Sequence, residues 1–481
     1  MNAIINFLNT IFWGYVLIYG LLAVGVFFTV RLGFLQFTQF GKFFGSVFNA
    51  RSSDKSGISP FQSLCTSLAS RVGTGNLAGV GVALYLGGPG AIFWMWMVAL
   101  VGMATGYAES LLAQLYKIRD DSGQYRGGPA YYISKGLGQH WLGAVFAVCL
   151  IISFGLVFNA VQSNSIASAM DGAFGTPTLV VGITLVVLSG IIIFGGLRSI
   201  ARFAEIVVPV MAGLYLLVAI YVILTHLTEI YGMLLLIVRS AFGLEQAVGG
   251  VTGYAIGVAM LNGIKRGLFS NEAGMGSAPN VAATVTPDPY HPASQGLVQG
   301  LGPFIDTIII CTATAVMIML SGQLRPGSGV SGVQLTQLAL ESYLGPAGSI
   351  FIALAIFFFA FTSIVANYSY AENSIFFLGL DKMGGILVLR ITCLLMVLWG
   401  AVSKLDIVWN LADAAMGLMA TVNLIGILAL SGVVKTLTVD YFQQLKSGSV
   451  PRFDPKQYPE LKKGIDEDIW RINSTAALPK G

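Results

Sequence analysis

The stretch Arg71 to Gly81, RVGTGNLAGVG, sets Gly73, Gly75 and Gly79 inside an apolar run from about Ile58 to Leu86. Each glycine costs roughly 1 kcal/mol against alanine in a helix interior, so this spacing predicts a helix that is interrupted. Broken backbone at membrane depth is tolerated only where protein or a water-filled cavity satisfies the freed N–H and C=O groups. Such groups can do chemistry, because half-helix N-termini offer N–H donors to an anion and unwound carbonyls face cations. The backbone N–H groups of Thr74, Gly75 and Asn76 suit a carboxylate. A second polar, glycine-rich interruption, LNGIKRGLFSNEAGMGSAPN at 261–280, offers carbonyls from Glu272 through Gly274 to Met275 for an ammonium group. A zwitterionic amino acid needs both. Gly75 and Gly79 also read as a GxxxG packing contact, but packing alone has no use for Thr74 and Asn76.

Other apolar runs carry further polar groups. In FAFTSIVAN, residues 359–367, the adjacent hydroxyls of Thr362 and Ser363 suit a hard cation together with carbonyls, or simply bond back to their own helix. In FNAVQSNS, residues 158–165, the amides of Asn159 and Gln162 reach either a substrate or a neighbouring helix. The acids Glu109, Glu205, Asp306, Glu372 and Asp413 interrupt apolar sequence, where charge is expensive and functional by default. Arg71 and Glu272 flank the two breaks as gate or ion-pair residues. His140, His226 and His291 fall in loops without HExxH spacing, and no P-loop occurs. GTGNLAG departs from GxGxxG and follows no strand, which excludes a dinucleotide site. Cys65, Cys149, Cys311 and Cys393 show no CxxC spacing, so neither a disulfide framework nor a metal site is expected.

These residues must be positioned by membrane helices. Of 481 residues 55% are hydrophobic and only 10% charged, against about 25% charged in soluble domains. Apolar segments of spanning length recur at Ile11 to Val30, 58–86, Ala91 to Leu115, 142–169, 178–197, 203–225, 248–283, 296–320, 348–378, 384–402 and 407–434. The first has no cationic leader or cleavage pattern and reads as a retained span. Basic residues cluster in the loop 37–57 (Lys42, Arg51, Lys55), in the loop holding Lys117, Arg119, Arg126 and Lys135, and at Arg198 and Arg202. The positive-inside rule then puts the N-terminus outside and the C-terminus in the cytoplasm of a multi-pass plasma-membrane protein. The net charge of +4 reports that topology and no nucleic-acid partner.

The expected architecture is all-α with eleven transmembrane helices. It comprises an extra N-terminal helix in 1–36, a first five-helix repeat at 58–225, an outer interfacial helix at 226–247, a second five-helix repeat at 248–434 and a cytoplasmic tail at 435–481. An odd number of spans per half inverts the second half, and each half opens with a discontinuous helix. That is the pattern of an inverted-repeat secondary transporter with its site at mid-membrane.

VGTGNLAGV at Val72 to Val80, GGPGAIFWMW at Gly87 to Trp96, RGGPAYYI at Arg126 to Ile133 and FSNEAGMGSAPN at Phe269 to Asn280 resemble the alanine or glycine:cation symporter family, the sodium:alanine symporters, over nearly the whole chain. The resemblance implies a leucine-transporter fold in which sodium entry drives uptake of a small neutral amino acid, with no cofactor besides the coupling ion. By likeness to the broader fold, sodium would sit between the carbonyls of Ala69 and Val72 and the hydroxyls of Thr362 and Ser363. The chain departs from the family at IVAN, which ends in Asn367 where many members carry a nearby tryptophan. Asn367 would make the pocket larger and more polar, admitting serine or glutamine as well as alanine. Sodium-coupled symport across the lipid bilayer is the leading expectation. Proton coupling through Glu272 or Glu109 is an alternative, a channel or transport-like receptor on the same fold is another, and an intramembrane enzyme would need a nucleophile or metal constellation that the sequence lacks.

Overall fold

The computed structural model describes residues 2–48, 56–244, 252–325, 327–461 and 464–470. Arg51 and Lys55 of the basic loop, the end of the interfacial segment with Glu245, residues 248–251 and the tail beyond residue 470 lie outside the described residues. Among the described residues the chain is almost entirely helical, with a single two-stranded ribbon, Ile118–Arg119 against Tyr125–Arg126. Eight described helices are long and apolar enough to cross a membrane, and two shorter apolar helices accompany them. Their lipid side is plain in the exposed Val187 and Ile191, Leu217 and Leu224, and Val388 and Leu395.

Nine helices build or support the site. They are α1 (Pro60–Arg71), α2 (Val80–Gly87), α3 (Gly90–Leu115), α4 (Phe158–Phe174), α5 (Thr252–Asn271), α6 (Pro292–Gly300), α7 (Pro346–Phe377), α8 (Leu405–Ala429) and α9 (Ser431–Lys446). α1 starts where the sequence caps it: Ser59 Oγ accepts from Gln62 N at 3.1 Å, Gln62 Oε1 accepts from Ser59 N at 3.2 Å, and Pro60 follows. This reciprocal box satisfies donors that a helix start otherwise leaves orphaned. α1 ends at Arg71, a π-helical turn fills Gly75–Gly79, and α2 resumes. Residues 63–81 are all buried, so the broken element is enclosed by protein.

α5 likewise stops at Asn271, and the chain passes through left-handed backbone at Glu272, Gly274 and Gly276 before a short helical turn, Pro279–Ala282. α5 lies close against α3 because Gly263 faces the Ala91 carbonyl, where a Cβ would stand 2.3 Å away. Small residues permit that approach between membrane helices. Lys265 and Arg266 lie on α5, where both meet Asp413 of α8.

The 37–57 stretch, expected as a loop, holds a helix at Phe40–Phe48. Phe40 and Phe44 make edge contacts with Phe304, so an apolar stripe docks it on the bundle. The interfacial helix expected over 226–247 corresponds to Leu227–Ala241. The described part of the polar tail packs back on the bundle: after α9, Phe453 N donates to the Tyr290 carbonyl and Trp470 Nε1 reaches the Leu115 carbonyl at 3.4 Å. Nearby, Lys117 Nζ donates to the Val285 carbonyl at 2.8 Å and lies over the Tyr125 ring. One face of the bundle is thereby closed by loop, tail and the chain that follows the second break.

Candidate functional site

The two breaks meet. At the first, Thr74 N donates to Gln162 Oε1 of α4 at 3.0 Å, and Gly73 N donates to Asn76 Oδ1 at 3.0 Å. Gly73 is glycine for lack of room: a Cβ there would lie 2.4 Å from Ser363 Oγ and 2.8 Å from Gln162 Oε1. Gly75 is pressed on the end of α5, with Phe269 and the Ser270 backbone at 3.0 and 3.1 Å from a notional Cβ. Asn76 turns away from this wall. Its Nδ2 bonds Ser270 Oγ at 3.1 Å and the Asp306 carbonyl at 2.8 Å, tying the first break to the second half of the chain.

At the second break two carboxylates, Glu109 and Glu272, accept from backbone and side-chain donors. Glu109 of α3 accepts from Gly274 N at 3.3 Å and from Asn423 Nδ2 at 2.8 Å, while Asn423 also bonds the Gly274 carbonyl at 2.9 Å. Tyr132 donates to Asn423 Oδ1. Glu272 meets Ser70 Oγ of α1 at 2.7 Å and Ser277 Oγ at 2.5 Å. Asn367 of α7 touches the same Ser70 hydroxyl at 2.6 Å and donates to Asn159 Oδ1 at 3.1 Å. Met275 is fully buried.

Arg71, 1% exposed, interacts electrostatically with three buried acids, Glu109, Glu272 and Asp306. Its Nη1 reaches the Gln299 carbonyl at 3.5 Å, and its path runs over Gly302, where a Cβ would lie 1.6 Å from that nitrogen. Upstream of the second break an aromatic layer covers the site: Phe158 and Phe269 have centroids 4.7 Å apart, and Phe269 and Trp409 4.8 Å. Arg266 stacks over Trp409 at 4.4 Å and pairs with Asp413, which also meets Lys265 Nζ at 3.4 Å.

The expected cation ligands divide. Ser363 Oγ stands 2.7 Å from the Ala69 carbonyl, bringing α7 onto the end of α1. Thr362 Oγ1 bonds back to the Phe359 carbonyl at 2.8 Å, and Ser363 also reaches that carbonyl at 3.0 Å. Val72 N bonds the Leu68 carbonyl. Of the remaining expected acids, Glu205 accepts from Gln62 Nε2 at 2.9 Å, away from the breaks. The sequence reading missed Ser70, Ser277, Tyr132 and Asn423. Asn423 left a legible trace, an amide in an otherwise apolar span, whereas Ser70 is one of several small polar residues in α1 with no distinguishing spacing. No group of three His, Cys, Asp or Glu with metal-binding geometry occurs among the described residues.

The model of the sodium:alanine symporter family matches residues 1–455. The amino-acid carrier protein AlsT of Bacillus subtilis is 50% identical over 461 residues, covering 96% of each chain. The probable sodium/glutamine symporter GlnT of the same organism is 47% identical over 99% of this chain and 97% of its own. Among solved structures, MhsT in complex with L-phenylalanine matches with a TM-score of 0.53 at 15% identity, over 79% of this chain and 97% of that one. That likeness carries the fold, a leucine-transporter-type helical bundle. Two interrupted helices that enclose a polar site, and kinship running nearly the length of the chain, make this protein a membrane transporter of the sodium:alanine symporter family and not an enzyme.

Proposed function

We propose that the protein carries a small neutral amino acid together with sodium by alternating access, with residues 58–225 and 248–434 as the moving halves around a fixed site. The observation that carries this reading is the opposite character of the two breaks. Backbone N–H groups at Gly73 and Thr74 are met by neutral amide oxygens, a setting for a substrate carboxylate. The second break brings the carboxyls of Glu272 and Glu109 and the Gly274 carbonyl, a setting for an ammonium group. Gly75, Asn76, Asn159, Gln162, Gly274, Met275, Ser363 and Asn367 complete the proposed surround. Sodium would bind where Ser363 Oγ meets the Ala69 carbonyl, with Val72 and Thr362 completing the shell. Sodium binding then raises amino-acid affinity, and by linkage the amino acid raises sodium affinity by the same factor. The N-terminus would lie outside the plasma membrane and the tail in the cytoplasm.

A second substrate, glutamine, is favoured by Asn367, whose buried amide supplies polar lining beside Asn159 and Ser70. A relative named as a probable glutamine symporter accords with it.

Uptake of labelled alanine, glycine, serine and glutamine into proteoliposomes, with an inward sodium gradient and then with choline, tests the proposal. Sodium-dependent accumulation of one of them supports it, and accumulation indifferent to sodium defeats the coupling. Replacing Thr362 and Ser363 together by alanine should raise the half-saturating sodium concentration roughly tenfold, equivalent to about 1.4 kcal/mol. An unchanged sodium dependence removes both from the site.

A further inference from the structure

A water-sized polar cavity lies between the site and the closed face of the bundle. Arg126, Asn280, Thr284, Ser369, Tyr370 and Asn373 line it, contributed by the end of the ribbon, by the chain after the second break and by α7. Its level is set along α7. Ser363 and Asn367 meet α1, and Asn373 lies six residues past Asn367, roughly 9 Å further along the helix. Tyr370 joins the two levels, because it lines the cavity and interacts electrostatically with Glu272 and Arg71. Thr284 joins the cavity to the closed face, where its carbonyl accepts from Ile58 N at 3.0 Å.

Asn373 is the clasp of this cavity. Its Nδ2 donates to Asn280 Oδ1 at 2.7 Å and to the carbonyl of Gly127, the residue after Arg126. Gly127 belongs to the first half and Asn373 to the second, so parting the halves breaks that bond and widens the space. Arg126 supplies the charge of the lining. Its guanidinium lies over the Phe376 ring at 3.9 Å, and its Nε donates to Asp120 Oδ2 at 3.0 Å. The ion pair is made through Nε rather than through the pair of Nη groups, a fork whose geometry matches a carboxylate. Asp120 is anchored in its own loop, where Oδ1 accepts from Ser122 and from Gln124 N.

We propose that this cavity is an inner station for the transported amino acid, in which Arg126 takes the substrate carboxylate as the halves part toward the cytoplasm. The inference rests on the alternating-access reading and its topology. At the central site the carboxylate is met by the N–H groups of Gly73 and Thr74; at the station it passes to a guanidinium. The anion thus keeps a partner on its way through an interior where an unpaired charge is costly.

The rest of the lining suits the other end of a zwitterion. Asn280, Asn373 and Tyr370 offer side-chain oxygens to an ammonium group, and none of them carries a full negative charge to trap it. Asp120 offsets the charge of Arg126, so the carboxylate is held loosely enough to leave for water.

The test compares the full-length protein in right-side-out and inverted membrane vesicles, reading the half-saturating concentration of labelled alanine or glutamine at each face under a sodium gradient. In Arg126→Gln this value should rise roughly tenfold at the cytoplasmic face, for the loss of one charge-assisted pair, and stay within about twofold at the outer face. Asp120→Asn should lower it at the cytoplasmic face, because Arg126 no longer shares its charge. An arginine that only braces the loop behaves otherwise: breaking its ion pair from either side weakens the same contact, and both variants move in one direction. A shift at both faces, no shift in Arg126→Gln, or a failure of Asp120→Asn to lower the value overturns the station while leaving transport intact. Should Arg126→Gln not insert, Arg126→Lys keeps the charge without the fork and should still raise the value at the cytoplasmic face alone. No saturable uptake by the wild type from either face would sink the transport reading, and the station with it.

Discussion

The two breaks interrupt their helices by different means. The first is steric: Gly73 and Gly75 let α1 and the π-helical turn press on Ser363, Gln162 and Phe269, and the backbone N–H groups are met by neutral amides. The second is electrostatic: Glu272, Gly274 and Gly276 take left-handed backbone, and the segment hangs from Glu109, Asn423, Ser70 and Ser277. One wall of the site therefore tolerates no added volume, and the other tolerates no lost partner. Substitutions that swap volume for charge should separate them.

The largest effect is expected at Gly73. In Gly73→Ala the new methyl must displace Ser363 and Gln162, an overpacking cost of about 1–3 kcal/mol. Uptake should fall roughly 10- to 100-fold, with a protein that still inserts and stays monodisperse in detergent. The same change at Gly274 meets Leu424 Cδ2 at 3.2 Å and Leu21 Cδ2 at 3.5 Å, both side-chain ends, but must hold an alanine at φ +84°. That backbone strain is worth about 1–2 kcal/mol and should appear chiefly as a lower melting temperature. Equal losses of uptake in the two variants would erase the steric contrast.

Asn423→Ala comes next. It strips a donor from Glu109 and from the Gly274 carbonyl, and buried groups left unpaired cost about 1–3 kcal/mol. Gln162→Ala leaves one backbone N–H at the first break without its partner, and a substrate carboxylate can restore that bond. Added substrate should therefore recover thermal stability in Gln162→Ala more fully than in Asn423→Ala. Identical recovery would argue against placing the carboxylate at the first break.

The smallest effect concerns pH. Asp120 is partly shielded, which pushes its carboxyl up, but hydrogen bonds from Ser122, Gln124 N and Arg126 outweigh this and hold it below the usual carboxylate range. A carboxyl lowered on folding contributes stability above its unfolded value of about 3.9, and that stability is lost as pH falls through the lower folded value. Arg126, its partner at 3.0 Å, lines a water-sized cavity beside the second break with Asn280 and Tyr370. Asp120→Asn should slightly lower the melting temperature at neutral pH, and this difference from wild type should vanish in strong acid.

Much of this contrast was written in the local sequence. Three glycines in seven residues marked the first break, and the polar run around Glu272 marked the second, because interruptions of an apolar helix are local facts. Lys265 and Arg266 were legible as charges but unplaceable, since their partner Asp413 lies about 150 residues away and no spacing rule links them. Ser70, Tyr132 and Asn423 escaped for the same reason: each acquires its role only when helices distant in sequence are packed together. The hydroxyl pair was visible, yet only Ser363 reaches across to α1, while Thr362 bonds its own helix, a distinction of rotamer that sequence does not carry. The polar tail looked like a solvated end, and its aromatic residues Phe453 and Trp470 instead pack against the bundle.

Arg71 lies so close over Gly302 that a side chain there fits only if the guanidinium moves. The cation and the bare backbone are thus one character held at two positions 231 residues apart. A descendant that lost the arginine would release residue 302 from glycine, whereas one that first gained a side chain at 302 would displace a guanidinium that interacts with three buried acids. Loss of the arginine first is the less costly order of change at these two positions.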